Sequence, residues 1–265
     1  MIVLETDALT RQFGALTAVD GLTISVESGE VFGLLGPNGA GKTTVIKMLA
    51  TLLPPTSGNA RVAGFDIVHH ASQVRRVIGY VPQLVSADGT LTGYENLLIF
   101  AKLYDIPRSE RETRVREALE FMGLTEASDK LVRNYSGGMI RRLEIAQSMM
   151  HRPSVLFLDE STVGLDPVAR NGVWEHIQRL RKDYGTAIFL TTHYMEEADA
   201  LCSRVAIMHL GKVVAIGTPA QLKASLCQND ATLDDVFVHS TDYVLESGGT
   251  FREVSRTRRA ARRLG

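Results

Sequence analysis

A chain of 265 residues with 45% hydrophobic and 22% charged side chains can bury a substantial core, and this balance excludes a disordered or collagen-like polymer. The net charge of −1 supplies no global field to recruit nucleic acid, and two cysteines, Cys202 and Cys227, are too few and too badly spaced for a disulfide framework or a zinc site. The opening MIVLETDALTRQFG lacks a basic region followed by an apolar core, and no run approaches the roughly 20 apolar residues that cross a bilayer, so a cytosolic chain that meets membranes only through a partner is expected.

In chain order, Ile2 to Glu5, Leu22 to Val26 and Val31 to Leu35 read as short strands separated by polar turns. A glycine-rich stretch follows, and then Val45, Met48, Leu49 and Leu52 give helical spacing over Thr43 to Leu52. Val77 to Val81 reads as a second buried strand ending at Pro82 and Gln83. From Leu91 to about Met150 the period shifts towards four, with Leu97, Phe100, Ala101 and Tyr104 on one stripe and Val115, Leu119 and Met122 on another. An inserted helical lobe at about residues 84–150 is the expectation. Strands return at Val155 to Leu158 and Ala187 to Leu190, flanking a helix whose Val173, Ile177 and Leu180 share a face. Alternating strands and helices predict an α/β fold with a mostly parallel sheet core, an N-terminal antiparallel β part and the helical lobe inserted.

Chemistry concentrates in four places. GPNGAGKT (Gly36, Pro37, Asn38, Gly39, Ala40, Gly41, Lys42 and Thr43) lies between an apolar strand and a helix, the context a phosphate-binding loop requires. Its glycines let backbone amides turn towards a β-phosphate, Lys42 brings a charge to the β- and γ-phosphates, Thr43 offers a hydroxyl to Mg²⁺, and Thr44 adds a contact. In VLFLDE, four apolar residues deliver Asp159 and Glu160 to the carboxyl end of a buried strand, where open α/β sheets bind ligands. Asp159 suits the Mg²⁺ shell, and Glu160 suits a base that polarises water. NYSGGM places Ser136 as a helix N-cap with the amides of Gly137 and Gly138 exposed at the helix start, an end that can hold a second phosphate; standing alone, it reads first as an ordinary capped turn. The fourth is TTH, which ends at His193.

The phosphate loop, SGG turn, LDE strand end and TTH, in this order and spacing, resemble the nucleotide-binding subunit of ABC transporters over roughly Val3 to Thr218. That resemblance implies ATP as substrate with Mg²⁺, and gives roles residue by residue. Gln83 is similar to the glutamine that reaches Mg²⁺ and the attacking water, and the segment from Gln83 to Asn96 would then lie near the cytoplasmic helix of a membrane partner. Asp166 is similar to the aspartate that crosses a dimer interface, although Asp before Pro also suits a plain helix cap. His193 is similar to the switch histidine at the γ-phosphate. Phe13 stands where the family stacks a ring on adenine, and an ordinary strand-end Phe fits that position nearly as well. Tyr135, Met139 and Ser161 depart from the commonest pattern without removing a phosphate contact. NYSGGM, THYMEEAD and ATLDDVFVHST resemble a subgroup of drug-resistance and antibiotic-export ATPases.

The resemblance further implies integral membrane permease subunits as partners, no nucleic acid, a position on the cytoplasmic face of the membrane, and pairing head to tail with a second ATPase subunit when ATP is bound, with a homodimer expected and a heterodimer left open. Residues 1–225 are expected to form the ATPase domain and 226–265 an extension. That extension ends in an arginine-rich run of Arg252, Arg256, Arg258, Arg259, Arg262 and Arg263, for which a solvated tail is the default reading. The alternative, a soluble ABC-type ATPase outside transport, would call for long coiled-coil insertions, zinc cysteines or a second cassette, and the sequence contains none of these.

Overall fold

The fold is described by a computed structural model covering residues 1–226 and 230–241. Cys227 and the arginine-rich run lie outside the described residues. In chain order the elements are β1 (Ile2–Phe13), β2 (Leu16–Glu27), β3 (Val31–Leu35), α1 (Lys42–Leu49), β4 (Ser57–Val62), β5 (Phe65–Asp66), α2 (Ala71–Val77) and β6 (Ile78–Val81). Then follow α3 (Gly93–Leu103), α4 (Arg108–Phe121), α5 (Gly137–Met149), β7 (Val155–Asp159), α6 (Pro167–Tyr184), β8 (Ala187–Thr192), α7 (Met195–Leu201), β9 (Arg204–His209), β10 (Lys212–Gly217), α8 (Pro219–Ala224) and α9 (Leu233–Thr241).

These strands form two sheets. A six-stranded sheet runs in the order β10-β9-β3-β8-β7-β6, parallel throughout except for β10 at its edge, and an antiparallel sheet runs β2-β1-β4-β5. Side-chain alternation along the parallel strands divides the interior in two. Leu35, Leu156, Leu158, Ile188 and Leu190 face the side that also takes up the helical lobe, where Leu97, Ala101, Val115 and Leu119 are buried. Phe32, Phe157 and Phe189 face the other side, under α1 and the antiparallel sheet, with Phe189 5.5 Å from Phe32 and 5.8 Å from Phe157 between ring centroids. Gly33 belongs to the first side: a Cβ there would lie 2.6 Å from Cys202 Sγ, so the thiol fills the volume the glycine leaves. Burial also pushes the Cys202 pKa up.

β1 and β2 are each twelve residues, longer than the two apolar runs suggest. The polar middle stays in register because Thr6 Oγ1, itself buried, donates to Leu22 O at 2.9 Å and accepts from Ile24 N at 3.0 Å, bridging an irregularity where Ala8 takes φ 47°. In the lobe, α3 opens with a capping box: Glu95 N donates to Thr92 Oγ1 and Thr92 N donates to Glu95 Oε2. α6 buries Val173, Ile177 and Leu180, is capped by Asp166 with Pro167 in its first turn, and stops at Gly185 with φ 65°. Among the described residues no helix is long and apolar enough to cross a membrane.

Candidate nucleotide site

β3 runs at the centre of the parallel sheet, between β9 and β8, and its carboxyl end releases the chain into Gly36–Thr43. The loop is backed by protein on its inner side. A Cβ at Gly36 would lie 2.3 Å from Met208 O, and one at Gly41 2.3 Å from Ala18 O; Gly41 also has φ 108° and caps α1 without any side-chain acceptor. Gly36 N donates to Thr192 O at 3.3 Å, and Gly211 N donates to Ala40 O at 3.1 Å. The loop is therefore fixed by β8 and by the β9–β10 turn, while the first amides of α1 have no capping side chain.

Lys42 is 4% exposed and lies inside this loop, donating from Nζ to Gly36 O at 2.8 Å and Pro37 O at 3.1 Å. Its anionic partner is Glu160, with Nζ 3.0 Å from Oε1. Glu160 follows β7 with φ 48°, a conformation uncommon outside glycine, and Thr191 holds its amide through both carbonyl and hydroxyl at 3.1 Å. The other carboxylate oxygen, Oε2, has Gln83 Nε2 at 3.4 Å and His193 Nδ1 at 3.3 Å. Beside it, Asp159 Oδ1 accepts from Thr43 Oγ1 at 3.1 Å and from Thr191 Oγ1 at 2.7 Å. The Asp159 charge, together with burial as the larger cause, pushes the Tyr80 phenol up to about 12.

Six of the residues singled out in the sequence, Lys42, Thr43, Gln83, Asp159, Glu160 and His193, thus meet at one end of the parallel sheet. Three of them supply hard oxygen or amide groups of the kind Mg²⁺ takes with a phosphate and water, namely Thr43, Asp159 and Gln83. Among the described residues no group of three or more His, Cys, Asp or Glu could hold a metal ion.

Ser136, Gly137, Gly138 and Asp166 form a second group. Ser136 caps α5 by accepting from Met139 N at 3.3 Å, and Asp166 Oδ1 caps α6 by accepting from Val168 N and Ala169 N at 3.0 Å. The two caps adjoin, because a Cβ at Gly138 would lie 2.7 Å from Ala169 Cβ and one at Gly137 3.2 Å from Leu165 Cδ2. Tyr135 is buried just before the turn and donates from its hydroxyl to Ala127 O at 2.6 Å. Phe13 stands apart, at the tip of the β1–β2 hairpin on the antiparallel sheet, 45% exposed with the Arg11 guanidinium 4.6 Å from its ring centre.

Some residues at these sites have no motif to announce them. Thr191 orients both acids. Glu197 Oε1 accepts from Thr162 Oγ1 at 2.6 Å and Trp174 Nε1 at 2.9 Å, which ties α7, just after His193, to α6 and to the segment leading to Asp166. Arg141 and Glu144 hold the segment around Gln83. A strand-end apolar run flags Asp159, whereas these partners are joined only by the fold.

Fold and site define a phosphate-loop enzyme that works on a nucleoside triphosphate with a carboxylate at the end of β7, one strand beyond the neighbour of β3. The family model described as ABC transporter matches residues 19–163. Daunorubicin/doxorubicin resistance ATP-binding protein DrrA of Streptomyces peucetius is 47% identical over 85% of this chain and 68% of its own length. Linearmycin resistance ATP-binding protein LnrL of Bacillus subtilis strain 168 is 41% identical over 84% of this chain and 72% of its length, and Nod factor export ATP-binding protein I of Ralstonia nicotianae is 43% identical over 83% and 68%. A solved structure described as the ATP binding subunit of an ABC transporter superposes with a TM-score of 0.80 at 29% identity, covering 90% of this chain and 99% of that one. The chain belongs to the ABC transporter family, as an ATP-binding, ATP-hydrolysing component.

Proposed function

We propose that this chain powers export of a drug-, antibiotic- or lipid-like compound through separate membrane-spanning subunits, from the cytoplasmic face of the membrane. The observation that carries the catalytic part is the convergence of Lys42, Gln83 and His193 on the Glu160 carboxylate beside the Thr43–Asp159 pair. The export part is supported by relatives whose names speak of daunorubicin, doxorubicin and linearmycin resistance and of Nod factor export.

In this reading the amides of Gly36–Thr44 cradle the β-phosphate and Lys42 shifts from Glu160 to the β- and γ-phosphates, which frees the carboxylate. Glu160 then takes a proton from water as the water oxygen attacks the γ-phosphorus; the bond to the β–γ bridging oxygen breaks, leaving ADP and phosphate. Gln83 and His193 orient the water and the γ-phosphate around that carboxylate. Thr43, Asp159 and Gln83 would hold Mg²⁺, which would supply positive charge to offset that of the phosphates.

The Ser136–Gly138 turn is proposed to hold the γ-phosphate bound to a second copy, with Asp166 lining the same interface and Phe13 offering a ring to adenine. Two-fold pairing then makes ATP part of the interface, so binding closes the pair and hydrolysis releases it. The permease is proposed to dock near the segment from Gln83 to Asn96, where Leu84 and Val85 are exposed, and at the groove lined by Leu52, Tyr80, Phe100, Leu103 and Tyr104. Residues 1–225 are proposed as the ATPase domain and 226–265 as its extension.

The test is Glu160→Gln. The variant is expected to bind ATP normally, to hydrolyse it at least about 100-fold more slowly, and to accumulate as an ATP-bound dimer on size exclusion. Wild-type phosphate release from this variant would remove Glu160 as the base. Co-purification of the wild type with a membrane protein checks the transport reading against that of a soluble ATPase.

A further inference from the structure

The loop that carries Gln83 is exposed from Gln83 to Ser86, with Leu84 81% and Val85 58% exposed, yet its backbone is gripped from beneath by one face of α5. Arg141 donates from Nη1 to Pro82 O at 2.9 Å and from Nη2 to Gln83 O. Its Nη1 also lies 2.8 Å from Glu144 Oε2, so the guanidinium spans the carbonyls and the acid together. Glu144 turns its other oxygen, Oε1, to the far side of the loop and accepts from Ser86 N at 2.5 Å, Ser86 Oγ at 3.0 Å and Ala87 N at 3.4 Å. One turn on, Gln147 Nε2 donates to Asn96 Oδ1 at 3.1 Å, and Asn96 in turn receives Asp88 N and donates to Asp88 O, both at 3.0 Å.

Arg141 and Glu144 are 6% and 2% exposed. A buried ion pair at an i,i+3 spacing is a weak source of net stability, because desolvation of both charges offsets most of their attraction. What such a pair does supply is a fixed geometry, and here that geometry includes four backbone groups of one exposed loop. The same helix begins at the Ser136–Gly138 turn, less than one and a half turns before Arg141.

We propose that Arg141 and Glu144 are positioning residues that clasp the Gln83 loop to α5, so that the helix carrying the Ser136–Gly138 turn also sets the reach of the Gln83 amide to Glu160. This rests on the reading of Gln83 and Glu160 given above. The clasp makes the loop and α5 a single rigid unit: a movement of the Ser136 end is passed to Gln83 through two side chains, without passing through the phosphate loop. ATP is gripped by Gly36–Thr43, which the clasp does not touch, so its loss acts on turnover and not on nucleotide affinity.

The test uses the full-length chain and the Arg141→Met/Glu144→Leu double variant, in which apolar side chains of similar volume replace the pair and water satisfies the exposed loop. The expected result is kcat lowered about tenfold with KM for ATP within about twofold of wild type. The change is then repeated with Gln83→Ala. If the clasp acts through Gln83, the triple variant turns over at the rate of Gln83→Ala alone. Wild-type kcat in the double variant overturns the proposal, and so does a tenfold loss that reappears undiminished without Gln83. Should Gln83→Ala itself keep wild-type kcat, the role of Gln83 fails and the clasp with it, while the Glu160→Gln experiment still judges the ATPase reading separately. Arg141→Lys, which keeps the charge facing Glu144 but loses the fork that spans two carbonyls, gives the same comparison in a variant that retains the ion pair should the double variant not fold.

Discussion

Lys42 and Glu160 are both buried and 3.0 Å apart, so deleting either charge strands the other. Breaking such a pair costs about 3–5 kcal/mol, which means that the stability of a Lys42 variant and its nucleotide affinity have to be measured apart. Lys42→Met is expected to melt below wild type and to gain nothing from ATP, whereas the wild type gains about 2.7 kcal/mol at a hundredfold excess over Kd. Adding Glu160→Gln removes the stranded charge. The double variant should recover much of the melting temperature and still show no shift with ATP in differential scanning fluorimetry. A shift of wild-type size in either variant would mean that the phosphates are held without Lys42. At this scale the sequence is most legible where a motif lies against an apolar strand, as at Lys42, Asp159 and Glu160. Thr191, Arg141 and Glu144 escape it because their partners are 32, 58 and 58 residues away, and nothing local distinguishes them from ordinary polar side chains.

Among the elements, α6 and the strands β3, β7 and β8 follow directly from periodicity, since each buries one uninterrupted face or both. α2 buries only Val74, so no helical stripe announces it. β9 offers a buried run from Val205 to Met208 too short to separate from helix, and β10 is an edge strand without a fully buried residue. The step from α5 to β7 holds His151, whose ring stacks 3.8 Å from Tyr104 and whose Nε2 meets Ile78 O at 2.8 Å. That contact requires Nε2 to carry the hydrogen, and the buried Nδ1 has no acceptor or donor of its own. Burial accordingly holds the His151 pKa below its ordinary value, and burial with Arg142 and Arg179 nearby does the same for His176. A depressed histidine favours the folded state above its unfolded pKa of about 6.5 and withdraws that contribution as pH falls through the lower folded value. Urea midpoints should therefore drop between about pH 7 and pH 5, and His151→Phe should flatten that slope. An unchanged slope in the variant assigns the dependence elsewhere.

Among the described residues, the parallel sheet lies between two apolar clusters, one including residues of the antiparallel sheet and α1, the other residues of the helical lobe. α9 adds Leu233, Val236 and Phe237 to the second. Phe237 is 5% exposed, with its ring edge-on to His209 at 6.4 Å. If α9 belongs to that interior thermodynamically, Phe237→Ala should lower the unfolding free energy of the entire chain by up to about 3–5 kcal/mol, read as a lower urea midpoint in one transition of unchanged steepness. A separate early transition would mark the helix as an independent appendage and support a boundary near residue 225.

The Gly33–Cys202 contact ties together two positions 169 residues apart in the chain, because the sulfur occupies the only room that a methyl at 33 could use. A larger residue at 33 therefore requires the side chain at 202 to shift or to shrink. Alanine at 33 is accordingly expected to be tolerated only together with a smaller residue at 202, on the same side of the sheet.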